Sequence, residues 1–438
     1  MYLSHDELSP ALGHPVMRSA VFLNEIAARH PKALSLAAGR PFDDFFDPAD
    51  ITGHLAAFEQ YLTAEGLDRS EITRRLFQYG RTAGHIHELI ARLLLNDESM
   101  EVDPAAVVVT VGAQEGMFIT LRALCHRPED VLLVTAPCYI GMLGVAELLG
   151  VTVVPVPEGE HGLDPAEVAR VAAEVRADGR TPRALYVVPT ASNPSGLTMP
   201  EHQRRRLLDV AEAADFLVIE DDPYGFLADG PDRVPTLKTL DTRRRVIHIG
   251  TFAKTCFPGA RVGYVVADQE VRHPDGRRSL LADELALIRS MITVNTSAVS
   301  QAVIGGMLVR CDCRLRQANA ERIAHYRDNL ALLLSCLDHG LPEARRRALG
   351  ISWNTPDTGF FVVVRVPFAA DEALLARSAE EYGVLWTPMS YFHPGQGGTN
   401  ELRVCCSSLA PADLEEATRR LLLLLTDTAS ASSAATKG

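Results

Sequence analysis

The stretch GTFAKTCFPGARVGYVV, residues 250–266, decides how the rest of the chain is read. An apolar run, VIHIGTF (246–252), ends in a turn of small residues and presents one lysine, Lys254. Arg261 follows seven residues later, at the head of a second apolar run, RVGYVVA (261–267). A lysine on a loop is ordinarily a solvated charge. Lys254 is instead flanked by Phe252, Ala253, Cys256, Phe257 and Pro258. Such neighbours suit a desolvated amine, because burial disfavours the ammonium form and leaves a nucleophile. Arg261, just beyond Gly259, is placed to bind an anion such as a phosphate.

Outward from this lysine the chain alternates apolar strands with helices. AVVVTVG (106–112), VLLVTAP (131–137), VTVVPVP (151–157), ALYVVPT (184–190) and FLVIEDD (216–222) join the two runs above as buried strands. Helical patterns separate most of them, for instance Asp164 to Ala177 and Pro200 to Ala214. That alternation predicts an α/β fold with a mostly parallel sheet of about seven strands, covered on both faces. A long helix is expected from about Cys313 to Leu337, crossing into a smaller α+β domain. Its strands are ISWNTP, GFFVVVRV and ELRVCCSSL, and its helices lie around Asp371–Tyr382 and Pro411–Leu425. The expected organisation is an N-terminal segment (1–50) lining the site, a large domain (51–312) and a small one (313–426). The last residues, DTASASSAATKG (427–438), are small and polar and are expected to be disordered.

Bulk properties exclude several functions. A formal charge of −13 over 438 residues argues against a nucleic-acid partner, which calls for a basic face. The sequence has no uninterrupted apolar run of the roughly 18 residues a membrane span needs. MYLSHDELSP lacks a basic start and an apolar core, so no secretory signal is expected. The eight cysteines show no paired zinc spacing, and the close pairs Cys311/Cys313 and Cys405/Cys406 are read as thiols. A reducing, cytoplasmic setting and no metal site are expected.

Five further strings fall in an order that gives the lysine motif its meaning. They are FQYGRTAG (77–84), VGAQEG (111–116), APCYIG (136–141), SNPSG (192–196) and IEDDPYG (219–225). With ELRVCCSS (401–408), the chain from about residue 31 to 425 resembles the fold type I pyridoxal-5'-phosphate enzymes of the class I/II aminotransferase group. That resemblance implies a large domain that binds the cofactor and a smaller C-terminal α+β domain. It makes Lys254 the Schiff-base lysine, with Thr251 and Arg261 on the cofactor phosphate. Gly112, Ala113 and Gln114 would add helix-start amides to the same phosphate. Tyr139 would stack on the pyridine ring, and Asn193 and Tyr224 would hydrogen-bond its phenolic oxygen. Asp221, three residues before Tyr224, would pair with the ring nitrogen and keep it protonated, with Asp222 as its competitor. Arg403 would clamp the substrate carboxylate two-fold, near Gly39 in SLAAGRP. Tyr79 would reach the phosphate of a second subunit, which implies a homodimer with shared active sites.

The match has departures. HELIARLLL stands where the family more often continues Leu-Arg, and Thr358 in TGFF stands where the family more often has glycine. The implied activity is transfer of an amino group between an amino acid and a 2-oxo acid, in two half-reactions that share Lys254 as proton carrier. The same residues also suit an elimination, γ-substitution or carbon–carbon-forming enzyme. A cofactor-sensing regulator would need a DNA-binding domain for which this chain has neither room nor charge. The N-terminal segment most resembles transaminases for aminoadipate, aromatic or phenylglycine-type amino acids. Phe42, Phe45 and Phe46 in RPFDDFFDP either border an aromatic substrate or pack the domain junction.

Overall fold

Val-, Ile- and Leu-rich runs, buried on both faces except for the partly exposed run 152–159 near the edge, assemble the central sheet of a computed structural model that describes residues 2–159, 162–228 and 233–435. Its strands are β1 (Val107–Thr110), β2 (Asp130–Ala136), β3 (Thr152–Gly159), β4 (Gly162–Leu163), β5 (Thr181–Val187), β6 (Leu217–Asp221), β7 (Val246–Thr251) and β8 (Gly263–Val266). They lie in the order β1-β8-β7-β6-β5-β2-β3-β4. Neighbours from β7 through β6, β5 and β2 to β3 are parallel, whereas β8 runs antiparallel to both β7 and β1. All seven expected strands are present, and β4 adds a short eighth at the edge. The N-terminal segment carries α1 (Pro15–Arg29), and β1 ends at Thr110 rather than at 112 because Gly112 already opens a helix, α2 (Gly112–Leu124). The carboxyl ends of β6 and β7 deliver Asp221 and Thr251 to the same edge of the sheet, where open α/β sheets bind ligands.

The second domain is a four-stranded antiparallel sheet, with β9 (Ser352–Trp353), β10 (Phe361–Arg365), β11 (Thr387–Pro388) and β12 (Glu401–Cys405) in the order β9-β10-β12-β11. The side chains of β12 alternate between two cores. Leu402, Val404 and Cys406 enter the small-domain core, while Cys405 joins the core beneath the large sheet. Arg403 and Cys405 therefore share the face that looks toward the large domain. The N-terminal segment is stitched to the small domain by a parallel pair, Leu34–Ser35 with Val384–Leu385.

Two helix expectations need correction. The helix expected from Cys313 is broken at Asn319, so that α3 begins at Ala320 and runs to Gly340. The Asn319 side-chain amide donates back to the Leu315 carbonyl at 2.8 Å, which ends a short preceding helix. The tail expected to be disordered from 427 is helical as far as Ala435, the end of α4 (Pro411–Ala435). Alanine favours a helix, Ala429 is buried against the small-domain core, and the Thr428 and Ser430 hydroxyls donate to carbonyls four residues back. Residues 436–438 lie outside the described residues. Among the described residues, no helix is long and apolar enough to cross a membrane.

Candidate active site

Lys254 lies on the loop after β7, and its amine donates to the Gly39 carbonyl at 2.5 Å. Burial brings its pKa down to about 8, with the charges of Arg403 and Arg261 pushing the same way. An amine with that pKa is neutral in a sizeable fraction of molecules near neutral pH. The loop is held from behind by Arg322 of α3, which donates to the carbonyls of Thr255 and Cys256, both at 3.0 Å, and of Phe45 at 2.9 Å. One guanidinium thus fixes the lysine loop and the N-terminal segment to the same helix.

Two acidic side chains compete at the end of β6, and strand alternation separates them. Asp221 Oδ2 accepts the Tyr186 hydroxyl at 2.6 Å, and Oδ1, buried, has no hydrogen-bond partner among the described residues. Burial raises the Asp221 carboxyl to about 6, Tyr186 opposes that rise, and Asp222 adds to it. Glu220 and Asp222 turn to the other face. Glu220 accepts the Leu237 and Lys238 amides and contacts His248 Nδ1 at 3.0 Å. Asp222 lies so close over Gly225 that a Cβ there would sit 2.1 Å from its Oδ2. Asp221 is the one that faces Tyr139, whose phenol is pushed up by burial and by the Asp221 carboxylate, while Arg261 and Arg403 pull it down.

The helix start beside Lys254 is built for a close approach. Gly112 has φ +73°, and a Cβ on it would lie 2.5 Å from Arg261 Nη2, so only glycine leaves room for that guanidinium. The first amides of α2 have no partner within the helix. Glu115 steadies the turn. It accepts the Val111 amide at 2.7 Å and the Thr293 hydroxyl at 2.6 Å, and it pairs with the buried Arg289. The Gln114 side chain reaches across to the Gly141 carbonyl at 3.0 Å, beside the Tyr139 ring. Thr251 is buried, and its hydroxyl accepts the Ala253 amide at 3.2 Å.

Arg403 is 4% exposed and, among the described residues, has no acidic partner in contact. It donates to Asn193 Oδ1 at 2.5 Å and to the Ala37 carbonyl at 2.7 Å, and its guanidinium lies over the rings of Phe361 and Phe392 at 4.4 and 4.7 Å. Among the described residues its Nε has no hydrogen-bond partner. A buried cation held only by neutral acceptors is prepared for an anionic ligand. Tyr224 is buried with its ring edge-on to Phe360 and Phe361. In TGFF the second position is the demanding one: Gly359 has φ +95° and lies against Ala191, whereas Thr358 is only partly buried. Tyr79 stands apart from all of these, 85% exposed on the surface of the chain.

The remaining expectation concerned the phenylalanines. Phe42 stacks on His325 at 4.8 Å, and Phe45 meets His325 and Tyr326 edge-on. Arg322 lies over both Phe45 and Phe46 at 5.4 Å. Their contacts are those of a packed junction between the N-terminal segment and α3.

The chain is similar to known proteins over nearly its whole length. The sequence model of the family Aminotransferase class I and II matches residues 53–421. The chain belongs to the class I and II aminotransferases. It is 45% identical over 428 residues to the (S)-3,5-dihydroxyphenylglycine transaminase of Amycolatopsis orientalis, covering 97% of this chain and 95% of that one. The crystal structure of Pyrococcus horikoshii kynurenine aminotransferase in complex with PMP superposes with a TM-score of 0.80 at 25% identity, covering 98% of this chain and 97% of that one. The α-aminoadipate aminotransferase LysN of Thermus thermophilus, complexed with N-(5'-phosphopyridoxyl)-L-leucine, gives 0.77 at 26% identity, covering 97% and 99%. The fold is that of the fold type I aminotransferases, and the chain is a pyridoxal-phosphate-type transferase.

Several groups that shape the site of this aminotransferase escaped the sequence reading. Tyr186 was visible as a lone hydroxyl in an aliphatic strand, ALYVVPT, but nothing in the sequence ties it to Asp221. Arg322 acts from a helix about 70 residues downstream of the loop it fixes, and Ala37 and Thr387 hold Arg403 through a backbone carbonyl and a hydroxyl. Their side chains carry no motif.

Proposed function

We propose that this aminotransferase binds pyridoxal 5'-phosphate on Lys254 and moves the amino group of an aromatic, aryl-glycine-type amino acid to a 2-oxo acid. One observation carries the cofactor reading: the carboxyl ends of two neighbouring strands present a desolvated lysine amine, Lys254 after β7, and a buried carboxylate, Asp221 of β6, with one oxygen unpartnered among the described residues. An unpaired buried carboxylate oxygen is costly, and a protonated ring nitrogen would satisfy it. The glycine cradle under Arg261 and the free amides of α2 suit a phosphate. The residues present fit the cofactor.

When bound, the cofactor supplies an electron sink for the electron pair left at the substrate α-carbon. The chain does the rest. Thr251, Arg261 and the 112–114 amides would hold the phosphate, and Tyr139 would lie against the ring. Asn193 and Tyr224 would hydrogen-bond the ring oxygen. Arg403 takes the substrate carboxylate, helped by the Gly39 loop. Lys254, as a neutral amine, would take the proton from the substrate α-carbon and carry it through the transfer. Amino donor and oxo acceptor meet the same groups in turn, which gives a ping-pong scheme.

The aryl-glycine reading is supported by the extent of the similarity to the dihydroxyphenylglycine transaminase, which spans 97% of this chain. Tyr79, exposed on one chain, fits a homodimer in which it reaches the partner's phosphate. Residues 51–312 then form the cofactor domain, 313–426 the small domain, and a cytoplasmic setting suits the eight free thiols. Two assays test the proposal together. Borohydride reduction followed by peptide mass mapping should place the cofactor on Lys254, and an adduct on any other lysine refutes the anchor. A panel of amino acids with and without 2-oxoglutarate, read by product mass, should give an oxo acid from aryl-glycines only when an acceptor is present.

A further inference from the structure

Asp221 is gripped by one oxygen and open at the other. Its Oδ2 takes the Tyr186 hydroxyl at 2.6 Å, and the two side chains are 3% and 0% exposed. Tyr186 lies near the carboxyl end of β5, next to β6 and in register with Ile219, with its ring in the core beneath the sheet. A phenol at that depth must find an acceptor, and the one it finds is this carboxylate. Burial keeps the Tyr186 phenol protonated, so it is a donor across the working pH range. The other titratable groups around Asp221 are its chain neighbours Glu220 and Asp222, which act from the opposite face, His248 on β7, and Cys138, Tyr139 and Tyr224 from the neighbouring turns. Of these, Asp222 and Glu220 oppose its ionisation and His248 favours it. Tyr186 is the one that donates a hydrogen bond to it.

We propose that Tyr186 is a positioning residue for the reaction: by engaging Oδ2 it fixes the Asp221 rotamer, keeps Oδ1 free for the ring nitrogen and holds the carboxylate ionised. This rests on the reading of Asp221 given above. The donor acts on the charged form, so its removal favours the protonated carboxyl. A cationic ring nitrogen then meets a neutral partner over a wider range of acid pH.

The test measures pyridoxal-phosphate affinity of the cofactor-free protein as a function of pH for the wild type, Tyr186→Phe, Asp221→Asn and the double variant. Tyr186→Phe should move the acid limb of the affinity profile upward by about one to two pH units and weaken binding about ten-fold at neutral pH. In the Asp221→Asn background the same change should have no further effect, because the group it acts through is gone. An equal loss in both backgrounds, or an unmoved acid limb, overturns the proposal by showing that the phenol serves packing alone. Should Tyr186→Phe fail to fold, Tyr186→3-fluorotyrosine keeps the shape with a stronger donor. It should move the limb downward, and an unmoved limb again overturns the proposal. Asp221→Asn with wild-type affinity and profile would instead remove the reading of Asp221, and the proposal with it.

Discussion

Replacing Arg403 by lysine keeps the positive charge and removes the geometry. In the native site Nη1 and Nη2 reach Asn193 Oδ1 and the Ala37 carbonyl at 2.5 and 2.7 Å, while the flat guanidinium fills the slot between Phe361 and Phe392. A lysine ammonium is a point donor that cannot serve both acceptors and a two-point carboxylate together. A hydrogen bond to a charged group is worth about 1.5–3 kcal/mol, and the loss of one arm of the clamp falls in that range. A loss of about 2–3 kcal/mol corresponds to roughly a 30- to 150-fold fall in kcat/KM. Donor and acceptor both present a carboxylate to Arg403, so both specificity constants should fall by similar factors. Steady-state kinetics with each substrate varied in turn measures this. A fall of under three-fold, or a fall for one partner alone, would refute the assignment of Arg403 to the shared carboxylate.

Other expectations follow from the same geometry. Asp221→Asn should fold normally yet lose turnover by several kcal/mol in the barrier, about the effect of losing a preorganised charge, because an amide cannot hold the ring proton; near-normal turnover would return Asp222 to consideration. In the cofactor-free protein, the rate at which Lys254 captures the cofactor should rise with pH and level off above about 8, since the neutral amine is the reactive form and burial has lowered its pKa to that value. A profile still rising steeply at pH 10 would mean that the lysine is solvated. Gly112→Ala combines a left-handed φ with a clash against Arg261, so cofactor should wash out of that variant far faster than from the wild type while the chain stays folded by circular dichroism.

The sequence carried those parts of the site that depend on local chemistry. Lys254 could be singled out because its apolar neighbours contradict a solvated loop, and Arg403 because it interrupts an apolar strand. The sequence favoured Asp221 over Asp222 only by its spacing to Tyr224; in a run of three acids, Glu220 to Asp222, it takes the register of β6 to put Asp221 on the face of Tyr186. Long-range supports were out of reach for a different reason. The Tyr186 hydroxyl and the Arg322 guanidinium act on residues 35 and about 66 positions away, and the Arg403 acceptors include a backbone carbonyl 366 residues distant. The break at Asn319 rests on one side chain bonding back to a carbonyl, and the helical tail to Ala435 rests on packing by Ala429. Both are tertiary outcomes that periodicity alone does not separate from a continuous helix or a polar tail.

The account stands or falls on a single-turnover experiment with the holoenzyme. An aryl-glycine donor is added without any oxo acid, and the absorption of the cofactor and the released products are followed together. The account predicts that one oxo acid forms per active site, that the yellow absorption is lost and stays lost, and that adding a 2-oxo acid restores it with formation of the matching amino acid. Continued turnover in the absence of an oxo acid, with the yellow form persisting throughout, would contradict amino-group transfer while leaving the cofactor-binding residues in place.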